Sequence, residues 1–330
     1  LLGYAMEKAS MDPTVLVGAE VVNWHGSTRT GGKQYFIFEA DEYQNKFMHY
    51  FPKIIVVNNI NFEHPDFFID FDSYKLAFEE FIDKLPDDGL VVANLDHPVV
   101  EQLVKVSRKN VVWFGENEKA DVRLVRRSHD QGGMQMLELS DGEQYPLHLI
   151  GKHNAMNALA VIAIARHLKL DKHAIDSAFS SFKSTKRRHE VIGNNDDRLI
   201  IDDFAHHPTE IVASVAALKE AYPKRRLVVV FQSHTFTRTQ VLIEDFATAF
   251  QDVDELILIP IFGSAREMKG NITTEDFANT IKEHTKNTHI EQTLDDAYNY
   301  LKKNSKPGDL IVTMGAGDTW KLAERIVKGE

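Results

Sequence analysis

The sequence predicts a two-domain α/β protein whose sheets are mostly parallel. Short runs rich in Val, Ile, Leu and Phe alternate with stretches of helical period, the pattern of α/β units around a shared sheet. A length of 330 residues, at about 150 per domain, allows two cores. With 43% hydrophobic and 26% charged residues the chain has enough apolar side chains to fill both, unlike a disordered segment.

The same composition excludes several function classes. Thirty-eight basic against forty-nine acidic residues give a net charge of −11, so the average surface repels phosphate backbones and anionic lipid. Neither a nucleic acid nor a membrane is an expected partner. Apolar blocks such as Leu227 to Phe231 fall far short of the roughly 20 residues that span a bilayer. The absence of cysteine removes disulfides, thiolate zinc sites and a cysteine nucleophile, and fits a reducing cytoplasm. Any metal must therefore sit on oxygen or nitrogen ligands.

The chain opens with LLGYAMEKAS, an amphipathic helical pattern with no capping residue ahead of it. Leu1 is not an initiator, so the expectation is that the sequence continues upstream. YFIFEADE reads as a strand ending in acids, and KIIVVNN as a second strand. A loop rich in Asn, Glu, His and Asp follows, then a helix from Asp72 to Lys84. LVVAN and VVWFG are further strands. Between Asp121 and Leu149, Gly132-Gly133 and Asp141-Gly142 separate alternating segments, which predicts a small antiparallel excursion. Helices from Asn154 to Leu168 and from Asp171 to Phe182 complete the first domain, residues 1–186. After the basic cluster Lys186, Arg187, Arg188 and His189, the strands RLIID, RLVVVF, ELILIP and DLIVTMG each precede a helical stretch. They form a second α/β domain, residues 187–330.

Ligands of open α/β sheets gather at the carboxyl ends of strands, and polar motifs fall there repeatedly. Glu39, Asp41 and Glu42 follow the first strand, and NINFEHPD places His64 and Asp66 after the next. If those strands are parallel neighbours, Glu39 and His64 meet as oxygen and imidazole ligands of a hydrated hard cation. A solvated acidic loop is the alternative. HNAMNALA puts Asn154 and Asn157 on one face of a helix's first turn, where a carboxamide suits a purine edge. Asn154 also reads as a cap.

Arg187 and Arg188 stand where the domains should join, with guanidinium groups that match phosphate or carboxylate. The other reading is a solvated basic face. IIDDFAHHPTE concentrates Asp202, Asp203, His206 and His207 at one strand end. FQSHTFTRTQ places His234, Thr235 and Arg238 where an anion would be held, or where hydroxyls simply cap a helix. Arg226 enters that strand from its opposite end and is expected to matter far less to turnover. GAGD, residues 315–318, reads as a tight turn from strand to helix, its ligand contact unproven.

Taken in order, EADE, NNINFEHPD, HNAMNALA, KRRHE, DDFAHHPTE, FQSHTFTRT, IFGSAREMKG and MGAGD resemble the motifs of the ATP-dependent Mur ligases of bacterial cell-wall synthesis, over residues 39–318. DDFAHHPTE with HTFTRT and IFGSARE most resembles the branch that adds L-alanine to UDP-N-acetylmuramate. A murein peptide ligase that attaches a recycled peptide is similar in DDFAHHPT but not in HTFTRT. The resemblance implies a central ATPase domain followed by a Rossmann-like C-terminal domain. It also implies an upstream UDP-sugar domain and a Gly-Lys-Thr phosphate loop ending about one turn before Leu1, without which this chain is expected not to ligate.

The resemblance further implies ATP and Mg2+ as cofactors. Glu39 and His64 would bind the metal, Asn154 and Asn157 would face adenine, and Arg188 and Asp203 would reach the nucleotide. His206, His234 and Arg238 would face the acceptor side, with His206 accepting the proton of the attacking amine. Two positions depart from the family: Phe78 stands where sister ligases carry a carbamylated lysine, and Thr235 where many alanine-adding members carry arginine. On residues alone, a metal-dependent phosphohydrolase or a nucleotide-binding module stays open as the competing class.

Overall fold

A computed structural model describes residues 1–64, 67–107, 109–130, 134–263 and 272–329. The chain divides into two compact units, Leu1–Lys183 and Ser184–Glu330.

The first unit carries two sheets. One has the order β2-β1-β3: β1 (Thr14–Val21) pairs antiparallel with β2 (Gly26–Arg29) and parallel with β3 (Phe36–Phe38). The other has six strands in chain order, β4 (Ile54–Val57), β5 (Leu90–Asn94), β6 (Asn110–Gly115), β7 (Val122–His129), β8 (Gln135–Leu139) and β9 (Gln144–Leu147). Strands β4 to β7 are parallel, whereas β7, β8 and β9 form the expected antiparallel excursion. The expected Gly132-Gly133 turn lies outside the described residues.

Helices cover both faces of this sheet. Along α4 (Lys152–His167) the buried residues run Ala155, Ala158, Leu159, Ala160, Val161 and Ile162, so it is buried nearly all round. It packs with α1 (Leu2–Lys8) and α5 (Lys172–Ser181) against Val92, Phe114, Leu137 and Leu147. On the other face α2 (Phe71–Asp83) and α3 (Pro98–Val106) pack Phe81, Ile82 and Leu103 against Ile55, Val91 and Ala93. Helix α2 begins one residue before its expected start because Asp70 caps it. The Asp70 carboxylate accepts the Ser73 N–H at 2.8 Å, and the Ser73 hydroxyl returns to the Asp70 N–H.

One expectation fails here. YFIFEADE and KIIVVNN were read as neighbouring parallel strands, but β3 pairs with β1 while β4 pairs with β5 in the other sheet. The segment TVLVGAEV forms β1, a strand absent from the reading. It carries Gly, Ala and Glu along with its β-branched residues, which dilutes the strand signal.

The second unit is one six-stranded sheet in the order β10-β11-β15-β12-β13-β14, formed by Glu190–Asn195, Arg198–Asp203, Leu310–Met314, Leu227–His234, Glu255–Phe262 and Thr288–Ile290. All neighbours are parallel except the hairpin of β10 and β11. Ile200, Val228, Ile257 and Ile311 pack against α10 (Leu294–Asn304) and α11 (Trp320–Lys328) on one face. On the other, the ring of Phe231 packs 5.0 Å from Phe250 and 6.0 Å from Phe246 of α8 (Ile243–Ala249), centroid to centroid. Three further helices, α6 (Pro208–Ala221), α7 (Phe236–Val241) and α9 (Thr274–Lys282), complete the unit.

At the amino ends of these strands Arg226 is far from idle. Its guanidinium grips Asp309 through Nε at 3.0 Å and Nη2 at 2.7 Å, and reaches Glu255 through Nη1 at 3.0 Å. Both carboxylates are buried, and Tyr300 donates to the second oxygen of Glu255 at 2.6 Å. Arg226→Ala would strand two buried charges, so it is expected to lower stability by about 3 kcal/mol, measured as a shift in the urea midpoint with the m value unchanged.

Candidate active site

In the first unit, polar side chains gather where β4 and β5 end and α4 begins. The N-cap of α4 is Gly151 at φ +87°, so Asn154 is not the cap. Asn154 lies one turn inside, where its Nδ2 donates to the Ile150 carbonyl at 2.9 Å. Asn157 Nδ2 donates to Asn154 Oδ1 at 3.4 Å, and Asn58, just after β4, donates to Asn157 Oδ1 at 3.3 Å. Asn94, at the end of β5, holds the Asn58 carbonyl at 3.0 Å. His97 contacts Asn61 at 3.3 Å, and burial lowers its pKa, which favours the neutral ring.

The structure does not bring Glu39 and His64 together as neighbouring strand ends, because β3 and β4 belong to different sheets. The Glu39 carboxylate accepts the Gly18 N–H at 2.7 Å. His64, at φ +57°, lies over the Tyr43 ring, centroids 4.6 Å apart, and its Nε2 stands 3.7 Å from Glu42. Tyr74 donates to that Glu42 carboxylate at 3.1 Å; burial first, then the Glu42 charge, pushes its phenol pKa up. Glu39, Glu42 and His64 are donors of the kind a hard cation takes. Among the described residues, however, no three carboxylate or imidazole groups are gathered closely enough to hold an ion. Asp66 lies outside the described residues. Phe78 is an apolar part of α2, packed 5.5 Å from Phe47 and 5.2 Å from Tyr74 between ring centroids.

In the second unit, the carboxyl ends of β11, β15 and β12 meet around one buried ion pair. Arg187, at φ +60°, donates through Nε to Asp202 at 2.9 Å and through Nη2 to the Gly315 carbonyl at 2.5 Å. Asp202 is 0% exposed and accepts the Thr313 hydroxyl at 2.6 Å. Burial is the largest influence on Asp202 and raises its pKa, against the opposing pull of Thr313 and Arg187.

Asp203 is buried and turns inward. Its two oxygens accept the His189 and Ala205 N–H groups, both at 2.8 Å, and bind the KRRHE turn to the DDFAHH turn. His189 is anchored at its far end by Ser214, 2.8 Å from Nε2. Between these braces Arg188 stays half exposed, 5.5 Å from the Phe204 ring and 3.5 Å from Glu210.

Glu210 draws the histidine pair into order. Its Oε2 accepts the N–H groups of His206 at 3.1 Å and His207 at 3.3 Å, and stands 3.2 Å from His206 Nδ1. That Nδ1 is 3.0 Å from the Phe204 carbonyl, which can only accept. Nδ1 therefore carries the proton, and in the neutral ring the lone pair lies on Nε2. His234 ends β12 with its ring 5.8 Å from Phe262, and Arg238 on α7 donates to the His234 carbonyl at 2.9 Å. The Thr235 carbonyl accepts both the N–H and the hydroxyl of Thr239, at 2.9 and 2.6 Å. GAGD folds tightly over Gln232: a Cβ on Gly315, at φ +128°, would stand 2.3 Å from the Gln232 carbonyl oxygen. Residues Ser264 to Gly270 of IFGSAREMKG lie outside the described residues.

Sequence reasoning passed over Asn58, Asn94, the ordering role of Glu210 and the separate role of Arg187. The doubled Asn after KIIVV and the Glu three residues beyond His207, a capping-box spacing, were the available signals.

Two α/β units with polar groups at the carboxyl ends of parallel strands define a class of ligand-binding α/β proteins. Comparison with known proteins is more specific: residues 23–165 match the Mur ligase middle domain, and residues 187–317 the Mur ligase glutamate ligase domain. The chain belongs to the Mur ligase family. It is 36% identical to the UDP-N-acetylmuramate–L-alanine ligase of Desulfitobacterium hafniense over 99% of this chain and 73% of that one. To the ligase of the same name from Caldanaerobacter subterraneus it is 34% identical over 99% of this chain and 72% of the relative. The solved UDP-N-acetylmuramate-alanine ligase of Thermotoga maritima shares the fold at a TM-score of 0.82 and 24% identity, covering 99% of this chain and 71% of that one. A murein peptide ligase from Psychrobacter arcticus shares it at a TM-score of 0.68 and 23% identity, covering 99% and 73%. Among the described residues no helix is long and apolar enough to cross a membrane.

Burial works against ionisation of Glu210, but the charges of His206 and Arg188 and two backbone N–H groups outweigh it and hold its pKa below the ordinary value. A lowered folded-state pKa gives stability that is complete above the ordinary carboxylate range and lost as pH falls through the folded value. Glu210→Gln is expected to remove that part of the acid limb in a plot of stability against pH, while the neutral and basic limbs keep their shape.

Proposed function

We propose that this sequence belongs to an ATP-dependent ligase that joins L-alanine to the carboxylate of UDP-N-acetylmuramate, forming an amide and releasing ADP and phosphate. The observation that carries this reading is the match to alanine-adding relatives over 99% of the chain, at 34 to 36% identity. A carboxylate and an amine do not condense at neutral pH until a carboxylate oxygen becomes a leaving group. Transfer of the ATP γ-phosphoryl group would make an acyl phosphate, the alanine amine would attack its carbonyl carbon, and phosphate would depart.

Asn154 and Asn157 are assigned to the adenine, with Asn157 presenting the recognising edge and Asn154 anchoring it. Arg188 is assigned to the phosphates, and Asp203 fixes the turn that presents it. Arg238 and His234 are assigned to the acceptor side, where a fixed guanidinium would offset charge as anionic groups converge. His206 is assigned as the base: Nε2 holds the lone pair that would take the amine proton, while Glu210 orients the ring. Glu39 and His64 are the residues that would hold Mg2+, whose chemistry is to neutralise phosphate charge.

The test is phosphate release with ATP, Mg2+, UDP-N-acetylmuramate and L-alanine, in a polypeptide of the relatives' full length that carries this sequence. Release that needs both the UDP-sugar and L-alanine is the expected result. Release without either would indicate a phosphohydrolase, and a requirement for a peptide in place of alanine would indicate peptide recycling. In the same assay Arg238→Ala is expected to lower kcat/KM on the order of 100-fold, whereas Lys302→Ala, exposed on α10, leaves it unchanged.

A further inference from the structure

The asparagines at the start of α4 form a chain whose direction is fixed. The Ile150 carbonyl can only accept, so Asn154 must turn Nδ2 toward it and leave Oδ1 for Asn157. Asn157 then donates to Asn154 and has Oδ1 left for Asn58, which donates to it. At the far end Asn94 is equally constrained. Its Oδ1 accepts the Asp96 N–H at 3.0 Å, and its Nδ2 donates to the Asn58 carbonyl, which steadies the backbone carrying Asn58. Asn157 is thus held from both sides with half of each polar atom used. One lone pair on Oδ1 and one proton on Nδ2 remain, side by side.

We propose that Asn58 is a positioning residue for base selection: by donating to Asn157 it joins Asn154 in setting that carboxamide to accept from the N6 amino group of adenine and donate to N7. The inference rests on the reading above that Asn157 meets the base. An adenine matches both remaining positions of the held carboxamide. A 6-oxopurine matches only the N7 position, because its O6 meets the amide oxygen. If Asn157 is turned over, adenine is mismatched twice and the 6-oxopurine still once. Turning the carboxamide therefore penalises adenine selectively. Asn58 occupies one lone pair of Asn157 Oδ1 and leaves the other for the base, so its influence runs through the orientation of the carboxamide.

The discriminating variant is Asn58→Asp, which keeps the shape but replaces the donor with an acceptor, so that Asn157 is drawn to present Nδ2 to it. The measurement is kcat/KM for ATP and for inosine triphosphate in the full-length polypeptide. The added negative charge acts on both triphosphates alike and cancels in their ratio. Native protein is expected to prefer ATP. In Asn58→Asp that preference falls by about tenfold or more, through KM for ATP, with kcat little changed. Asn58→Ala, which frees Asn157 without inverting it, gives a smaller fall, and Asn58→Gln, which restores a donor, keeps most of the native ratio. An unchanged ratio in Asn58→Asp, in a protein where Asn157→Ala abolishes the preference, overturns the inference and leaves the base reading intact. If native protein shows no preference, or Asn157→Ala leaves it unaltered, the base reading itself falls and this inference with it.

Discussion

In the second unit the turns at the carboxyl ends of the strands depend on the contact between Arg187 and Asp202. A carboxylate with no exposed surface is costly to keep charged unless a cation and hydrogen bonds attend it, and Asp202 has Arg187 and Thr313. The geometry of that compensation has consequences beyond the pair. Arg187 also holds the Gly315 carbonyl, and its own carbonyl accepts the Phe204 N–H at 2.6 Å. Three turns from distant parts of the chain, those carrying Arg188, His206 and GAGD, are thereby tied to one buried charge. Without the guanidinium, Asp202 would be an isolated buried anion. Replacing both partners by apolar groups would spare the fold and still release the turns.

The architecture was largely legible because parallel strands buried on both faces read as continuous apolar runs. RLVVVF, ELILIP and LVVAN each became a strand in the expected place. The strands missed were those whose signal is not apolar continuity. Gly, Ala and Glu dilute the β-branched residues of β1, and β10, the segment EVIGNN, is half exposed. Missing β1 had a direct cost, since without it β3 had no partner except β4. The strand adjacency from which Glu39 and His64 were expected to meet is therefore absent, β3 and β4 lying in different sheets.

At the site, residue types proved easier to read than directions. The concentration of Asp and His in IIDDFAHHPTE marked a cluster of polar groups at a strand end, yet the residues alone held no means of telling that Asp203 faces inward while Arg188 stays half exposed. Two adjacent arginines look equivalent on paper. The left-handed backbone at Arg187 sends its side chain to the core and leaves its neighbour outside. The asparagines show the same limit. Spacing placed Asn154 and Asn157 on one helical face, but the partner that orients them comes from nearly a hundred residues earlier, through a hydrogen bond across the sheet end.

Strand β12 carries Arg226 just before its first residue and His234 at its last, so one extended segment has two unlike ends. At about 3.3 Å per residue they stand roughly 25 Å apart, some three times the distance over which salt solutions at cellular strength screen a charge. The ionic cluster that secures one rim of the sheet therefore stands a full strand length away from the polar groups on the other. The Arg226 rim can thus trade its ions for aliphatic packing, or enlarge them into a network, without touching a residue of the opposite rim.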